Sequence, residues 1–408
     1  MKRVAIIGGG ASGLIAAHFC ARGGCRVTVF ERQKSAGRKL LATGNGRCNI
    51  ANRELDADRY HGHNPRFAGN VIARFGLDET TEFFRSIGIP FVEGERGKLY
   101  PASLQASSVQ RVLIWEIGRL GADIHLHRKV DSIQPRNGKF LLVTSGLEEL
   151  EFDAVVLAAG SCAAPQLGAS TAGYELASSL GHRVYEPFPA ILPISIPLKA
   201  LHRLEGIKWD CGVSVRARGK TIAESNGELL FTKYGISGPA SLDVSRAVNE
   251  RVLAGETPEV AIDLFPATDD AGLAELLDTV LADGERTLAF GLLGILKERM
   301  PEIFLSLAGL DGQARADSLS PGARARIVRA LQDVRVAPGT PRPFAEAVVA
   351  AGGVDVDEIN PATMESRRVK GLYITGELLD IDGDSGGYNL QFAWSTGALA
   401  GIALGRAT

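Results

Sequence analysis

The pattern of apolar and polar positions at the start of the chain predicts a strand, a helix and a second strand. Residues 4–7 are a wholly apolar run, typical of a strand buried on both faces, and residues 26–30 are rich in β-branched side chains. Residues 14–20 are compatible with a helix that ends at Gly23 and Gly24. This order forms a βαβ unit, which predicts a parallel sheet.

The same pattern returns later in the chain. Residues 152–160 and 371–375 are apolar runs closed by a glycine, so each predicts a further buried strand. Residues 391–404 follow a glycine-rich loop and predict a helix. The simplest fold is therefore an α/β domain built from both ends of the chain.

The middle of the chain has a different pattern. Prolines cluster at residues 187–197, which indicates that the chain leaves the first domain, and residues 211–217 alternate as in an antiparallel strand. Further on, leucines recur at helical spacing, and Ser320 before Pro321 is typical of a helix start. We predict an α/β domain of residues 1–190 and 345–408, an inserted β-rich domain of residues 191–268 and 334–344, and a helical subdomain of residues 269–333.

Composition and charge exclude several classes of protein. The 408 residues are 45% hydrophobic and 23% charged, which is the balance of a soluble globular protein. The net charge of −2 gives no broad cationic field for nucleic acid or anionic lipid, and no apolar stretch reaches the ~18 residues of a membrane span. The five cysteines lack C-x-x-C spacing. We therefore expect a cytoplasmic protein with a small-molecule substrate and no nucleic-acid or membrane partner, and leave its oligomeric state open.

Glycine is unusually frequent, since 48 of the 408 residues are glycine and this exceeds the ordinary share of about 7%. Residues 8–13 (GGGASG) fit the pattern G-x-G-x-x-G directly after a predicted strand. Gly8 would allow a tight turn, Gly10 the approach of a pyrophosphate, and Gly13 close packing of helix against strand. Glu31, at the end of the second strand, would accept hydrogen bonds from ribose hydroxyls. The motif predicts a Rossmann-like dinucleotide site.

Two further loops bear on the choice between NAD and FAD. Residues 35–49 combine three glycines with three cations, Arg38 and Lys39 among them, and can supply donors to a second stretch of a long ligand. Near the other end, Glu377 follows a predicted strand, and residues 385–389 (SGGYN) open a helix whose N-terminus would stabilise charge on a flavin ring. Dinucleotide-type elements at both chain ends favour FAD over NAD.

Six segments carry a family resemblance: residues 8–13, GRK with GNGRCN in residues 37–49, LLFTKYGISGP at 229–239, GGV at 352–354, TMES at 363–366, and GELLD through GGYNLQ in 376–391. Together they resemble the BaiN/YhiN-type flavoproteins along nearly the whole chain. The resemblance implies a FAD/NAD(P)-binding domain with an inserted β-barrel-like domain that carries a small helical domain. It also implies an FAD-dependent oxidoreductase, with one branch similar to aminoacetone oxidases and another linked to steroid-type reductions. By the same resemblance, the Val130 backbone would bond the adenine.

The residues that we predict to contact FAD are Gly8, Gly10, Ala11, Ser12, Gly13, Glu31, Arg32, Arg38, Lys39, Gly44, Asn45, Val130, Gly160, Gly376, Glu377, Gly386, Gly387, Tyr388 and Asn389. We name no metal ligand and no catalytic acid or base. The expected activity is hydride transfer between flavin N5 and a small organic substrate, with NAD(P)H as an open choice of transient donor. A small-amine oxidase that uses dioxygen is one alternative. A non-catalytic flavin-binding redox sensor or assembly factor is another.

Overall fold

A computed structural model describes residues 1–406 of the chain. Its strands are β1 Arg3–Ile7, β2 Arg26–Phe30, β3 Ala51–Asn52, β4 Tyr60–His61, β5 Phe91–Glu93, β6 Lys98–Pro101, β7 Asp123–His125, β8 Val130–Arg136, β9 Lys139–Thr144, β10 Glu149–Phe152, β11 Ala154–Leu157, β12 Val184–Ala190, β13 Ile194–Ser195, β14 Lys208–Ala217, β15 Lys220–Thr232, β16 Gly235–Ser237, β17 Glu259–Asp263, β18 Val334–Val336, β19 Val349–Val354, β20 Leu372–Ile374 and β21 Asp382–Gly383.

Its α-helices are α1 Ala11–Arg22, α2 Arg38–Ala42, α3 Arg66–Ile72, α4 Leu77–Ser86, α5 Ala106–Arg119, α6 Ala172–Ser179, α7 Lys199–His202, α8 Pro239–Leu253, α9 Asp270–Val280, α10 Leu288–Leu292, α11 Met300–Leu307, α12 Pro321–Gln332 and α13 Tyr388–Arg406. Among the described residues, no helix is both long enough and apolar enough to cross a membrane.

The chain separates into two compact units. The first contains residues 1–188 and the chain from Val348 onward, and the second contains residues 189–347. The core of the first unit is a five-stranded sheet in the order β20-β11-β1-β2-β7, with every neighbouring pair parallel. Ile6 on the central strand lies between Val29 and Val156, and all three are fully buried. The predicted parallel sheet with strands from both chain ends is confirmed.

Helices α1 and α13 pack against each other through small residues. Gly397, Gly401 and Gly405 recur every fourth position of α13, and a Cβ atom on Gly401 would come within 2.8 Å of the Ala16 carbonyl oxygen. At Gly397 an added Cβ would overlap the Ser12 carbonyl oxygen. Only glycine permits this approach, which holds the two helices in close contact, with Ser12 at the start of α1 opposite Gly397 in the middle of α13.

The second unit is built on a six-stranded antiparallel sheet in the order β13-β16-β15-β14-β17-β18. Just beyond edge strand β18, Gly339 N donates to the Ser195 carbonyl oxygen of the other edge strand at 2.8 Å, so the sheet curls towards closure. Helices α9–α12 share one hydrophobic core with this sheet. The predicted start of α12 is confirmed, because Ser320 Oγ accepts a hydrogen bond from Ala323 N.

Candidate functional site

Most of the predicted FAD contacts lie in the first unit where its parallel strands end. Gly8 follows β1, Glu31 follows β2, Gly160 follows β11 and Gly376 follows β20. In open α/β sheets, ligands bind outside the carboxyl ends of the strands. Residues that are far apart in the sequence therefore share one edge of the sheet.

The first glycine turn combines tight packing with one open position. Gly8 has a φ of 106°, and a Cβ atom on Gly13 would overlap the Gly8 carbonyl oxygen, so the turn and the helix are in close contact. In contrast, a Cβ atom on Gly10 would meet nothing within 4 Å. Helix α1 then begins at Ala11, and Ser12 lies in its first turn. No side chain caps this helix, so its first amide donors are not engaged by a capping side chain.

Glu31 has a second role that the sequence did not predict. Its Oε2 accepts a hydrogen bond from Gly9 N at 2.9 Å, and its Oε1 accepts one from Gln33 N at 2.8 Å. The carboxylate therefore ties the glycine turn to the end of β2. Each oxygen has a second lone pair, so ribose binding by Glu31 stays a prediction.

Two of the predicted FAD contacts, Val130 and Arg32, belong to the region around the end of β2. Arg128 N donates to the Glu31 carbonyl oxygen at 2.9 Å, which brings Val130, two residues further on, towards Glu31. Arg32 bonds the Gly168 carbonyl oxygen. These two hydrogen bonds hold two loops against the end of β2.

Arg38 is likewise engaged within its own loop. Its Nη1 donates to the Gln33 side-chain oxygen at 2.6 Å. The predicted contribution of Arg38 to the charge around the pyrophosphate stays a prediction.

Lys39, Ser161 and Glu377 form a cluster that joins three segments. Lys39 Nζ lies 2.6 Å from Glu377 Oε2 and 3.4 Å from Ser161 Oγ, and Ser161 Oγ donates to the same carboxylate at 3.2 Å. The Lys39 and Glu377 side chains are 30% and 22% exposed, so the ion pair is partly screened from water. The sequence indicates Lys39 and Glu377 as two separate contacts. It does not indicate Ser161, whose only signal is its place directly after Gly160.

Buried polar atoms without a partner mark the inside of this region. The Oδ1 of Asn49 and the Oγ1 of Thr375 are buried and lack a hydrogen-bond partner. Asn49 follows the tight turn at Gly44 and Asn45, whose φ values of 56° and 54° are left-handed. Since a buried polar atom without a partner is costly, these atoms are suited to a polar ligand.

The C-terminal loop is held by its own side chains. The Asn389 side chain donates to the Gly383 carbonyl oxygen at 2.7 Å and accepts from Gly383 N at 2.9 Å. The ring of Tyr388 packs edge-on against Tyr60, whose hydroxyl donates to the Tyr388 carbonyl oxygen at 3.0 Å. The side chains of Tyr388 and Asn389 thus shape the loop, and a contact with the flavin from this loop would come from backbone.

Two glycines of this loop and one before it are sterically required. Gly386 and Gly387 have φ values of 135° and 109°, and a Cβ atom on Gly387 would come within 2.7 Å of the Ala51 carbonyl oxygen. At Gly376, where φ is 69°, an added Cβ would lie 2.5 Å from Ser12 Oγ. Gly376 therefore brings the end of β20 against the first turn of α1.

Cys48 lies in the same region but does not serve as a reactive thiolate. It is fully buried, and burial raises its pKa to about 12. Its role is therefore packing.

The residues present fit FAD, because one sheet edge combines an open glycine turn, uncapped helix amides and buried acceptors without partners. Together with the fold, they define the class of the protein: it is an FAD-dependent oxidoreductase with a Rossmann-like cofactor domain. The chain belongs to the family described as the HI0933-like protein Rossmann domain, whose model matches residues 2–403. The resemblance and the class of activity inferred from the sequence are confirmed.

Two curated relatives cover nearly the whole chain. The 3-dehydro-bile acid delta(4,6)-reductase of Clostridium scindens is 37% identical over 99% of both chains. The ribosomal RNA dihydrouridine synthase of Escherichia coli is 31% identical over 96% of this chain and 95% of its own. Among solved structures, 3-ketosteroid delta1-dehydrogenase from Sterolibacterium denitrificans matches the full length of both chains at 11% identity with a TM-score of 0.52, a likeness of fold alone.

Proposed function

We propose that this protein reduces a carbon–carbon double bond conjugated with a carbonyl group in a small organic molecule, using FAD and taking its electrons from NAD(P)H. The observation that carries the proposal is the 37% identity, over 99% of both chains, to a reductase named for the delta(4,6) bonds of a 3-dehydro-bile acid. Such a bond system is conjugated with the oxygen function at C3. Hydride addition to it requires a two-electron carrier.

FAD supplies that chemistry when it is bound, because its N5 accepts a hydride from one substrate and returns it to another. The open turn at Gly10 and the first amides of α1 would bind the pyrophosphate. Glu31 would orient the adenosine ribose. At the other end, Lys39 would hold Glu377 in place beside the ribityl chain, since the two are only 2.6 Å apart.

A second candidate substrate is a uridine in ribosomal RNA. Two relatives named ribosomal RNA dihydrouridine synthase, from Escherichia coli and Haemophilus influenzae, are 31% and 30% identical to this chain. The 5,6 double bond of uracil is also conjugated with a carbonyl, so the same chemistry would serve. The lower identity and the net charge of −2 favour the small molecule.

The first experiment follows the visible spectrum of the purified holoenzyme under anaerobic conditions while NADH or NADPH is added. We expect a yellow protein that bleaches, and that regains its colour with a bile acid carrying a 3-oxo group and double bonds at C4 and C6. Recovery only with a ribosomal RNA fragment would support the second candidate.

Controls address the remaining alternatives. A protein that bleaches with aminoacetone and then forms hydrogen peroxide would be an amine oxidase. A yellow protein that bleaches with dithionite but with neither nicotinamide would contradict the proposed donor. A protein that neither contains nor rebinds FAD would contradict the proposed cofactor site.

We also propose that the protein acts in the cytoplasm. All five cysteines are buried and unpaired in the structure, as expected of a reducing compartment. Cell fractionation tests this, and recovery in an oxidising compartment would contradict it.

A further inference from the structure

His63 is well exposed and yet rigidly held. Its side chain is 59% exposed, but Nδ1 lies 2.8 Å from Asp380 Oδ2 and its backbone N–H donates to the same oxygen at 3.0 Å. Its ring also stacks on Tyr185, with the ring centres 3.5 Å apart and the planes within 8°. Three contacts fix the position of this imidazole, which a solvated surface histidine does not need.

Asp380 determines which ring nitrogen faces outward. Its side chain is only 1% exposed, and as a carboxylate it accepts a hydrogen bond from Nδ1–H. The other nitrogen, Nε2, lies on the opposite side of the ring. His61 provides the contrast, because it uses Nε2 to bind Asp384 at 2.7 Å.

His63 belongs to the loop system that borders the proposed flavin site. It follows β4, which pairs with β21, so that His61 lies opposite Asp382. Gly62 has a φ of 148°, and an added Cβ there would overlap the Asp380 carbonyl oxygen. Asp380 itself lies between Glu377 and the glycines that open α13. The imidazole is therefore bound, through Asp380, to the segment that connects the predicted contacts of ribityl chain and ring.

We propose that His63 is the proton donor of the reduction, which rests on the proposed function. The β-carbon of the conjugated double bond receives a hydride from flavin N5, with both electrons of the new C–H bond. The α-carbon takes the proton from Nε2 of protonated His63, and the carbonyl double bond is restored. The imidazolium becomes a neutral imidazole whose Nδ1–H still donates a hydrogen bond to Asp380, and solvent reprotonates Nε2.

The charged groups around the ring are compatible with this cycle. Asp380 faces Nδ1 across 2.8 Å and is the hydrogen-bond partner of that nitrogen. Behind the stacked Tyr185 lie Asp355, whose Oδ2 is 3.4 Å from the Tyr185 hydroxyl, and Arg183, 4.4 Å from the centre of its ring.

The kinetic test isolates the step that uses the proton. Holoenzyme reduced with dithionite is mixed anaerobically with the 3-oxo-4,6-diene bile acid, and recovery of flavin absorbance is followed by stopped flow across pH. We expect His63→Gln to slow this recovery about 100-fold, as is usual for loss of a general acid, and to remove its pH dependence. Asp380→Asn should slow it less and shift the pH profile. His61→Gln, a neighbouring histidine with a carboxylate partner, is the matched control and should recover at the wild-type rate.

A second test needs neither a variant nor turnover. Oxidised wild-type holoenzyme is treated with diethyl pyrocarbonate, and modification at His63 and His61 is quantified by mass spectrometry. We expect the bile acid to protect His63 and to leave His61 unchanged.

The outcomes separate the two proposals. A wild-type enzyme whose flavin does not recover with this bile acid or a uridine-containing ribosomal RNA fragment overturns the proposed function, and the role of His63 with it. If wild type recovers and His63→Gln recovers equally fast, or if the substrate that restores colour leaves His63 unprotected, the role of His63 alone is overturned.

Discussion

Helices α1 and α13 both begin at a glycine-rich turn, but the two turns differ in what surrounds them. In residues 8–13, a Cβ on Gly10 would point into open space. In residues 383–389, Asn52 Nδ2 binds the Gly386 carbonyl oxygen at 2.9 Å, and Asn389 bonds both polar groups of Gly383. The first turn leaves open space at Gly10, while the second is held by the side chains of Asn52 and Asn389.

The difference teaches that a glycine-rich turn before a helix does not by itself indicate a ligand contact. Glycine serves close packing at Gly13 and Gly387, where an added Cβ would strike a carbonyl oxygen. It serves ligand approach at Gly10, where the space is free. Substitutions at these positions should therefore separate stability from FAD binding.

Gly13→Ala should have the largest effect. The new Cβ would overlap the Gly8 carbonyl oxygen, so α1 must move away from β1. We expect the free energy of unfolding to fall by about 3 kcal/mol, together with loss of FAD. Urea unfolding of the apoprotein measures the change in the free energy of unfolding, and the absorbance of the purified protein measures the loss of FAD. A loss below about 1 kcal/mol would show that the helix has room to shift.

Gly10→Val should abolish FAD retention and leave the fold intact. Gly10 has φ −80° and ψ −169°, which valine can adopt, and its side chain would enter open space. We expect the free energy of unfolding of the apoprotein to change by about 1 kcal/mol at most. FAD retention is measured by the absorbance of the purified protein. A variant that stays fully yellow contradicts the assignment of the pyrophosphate site.

Gly387→Ala should destabilise the apoprotein, in contrast to Gly10→Val. Its φ of 109° is unfavourable for alanine, and the Cβ would press on the Ala51 carbonyl oxygen at 2.7 Å. We expect a loss of about 2 kcal/mol in urea unfolding. If the free energy of unfolding of the apoprotein is unchanged but FAD binding is weakened, this loop would contact the ligand, as predicted for the turn at Gly10.

Helix α1 itself shows a similar contrast. Its N-terminus adjoins open space at Gly10, whereas His18 in its third turn is buried. Burial lowers the pKa of His18 to about 4, although Glu116, 4.0 Å away, opposes the shift. The folded state therefore resists protonation that the unfolded state accepts below pH 6.5, so stability is complete above that pH and falls as the pH drops towards 4.

We expect wild type to lose about 1 kcal/mol of unfolding free energy between pH 7.5 and 5.5 through this group. His18→Leu should remove that part of the pH dependence, since neither ring nitrogen has a hydrogen-bond partner to lose. Urea unfolding at both pH values measures the difference. Equal pH dependence in the two proteins would refute the assignment.

The sequence by itself determined the elements of the cofactor domain and the position of its glycine turn. Wholly apolar runs mark strands buried on both faces, and the spacing of Gly8, Gly10 and Gly13 carries a steric requirement that is local. Ser320 before Pro321 likewise predicted a helix start from local hydrogen bonding alone. These features depend on neighbours within a few residues, which is why they could be inferred from the sequence.

Tertiary structure decided how distant groups are used. Ser161 and Glu377 meet because strands β11 and β20 lie side by side in the sheet, and Lys39 reaches them from α2. The partners of Glu31, the self-filled turn before α13 and the rigid placement of His63 on Asp380 also depend on contacts between segments remote in the chain. A side chain's availability is set by the partners that the fold brings to it, and a linear pattern of residue types does not specify those partners.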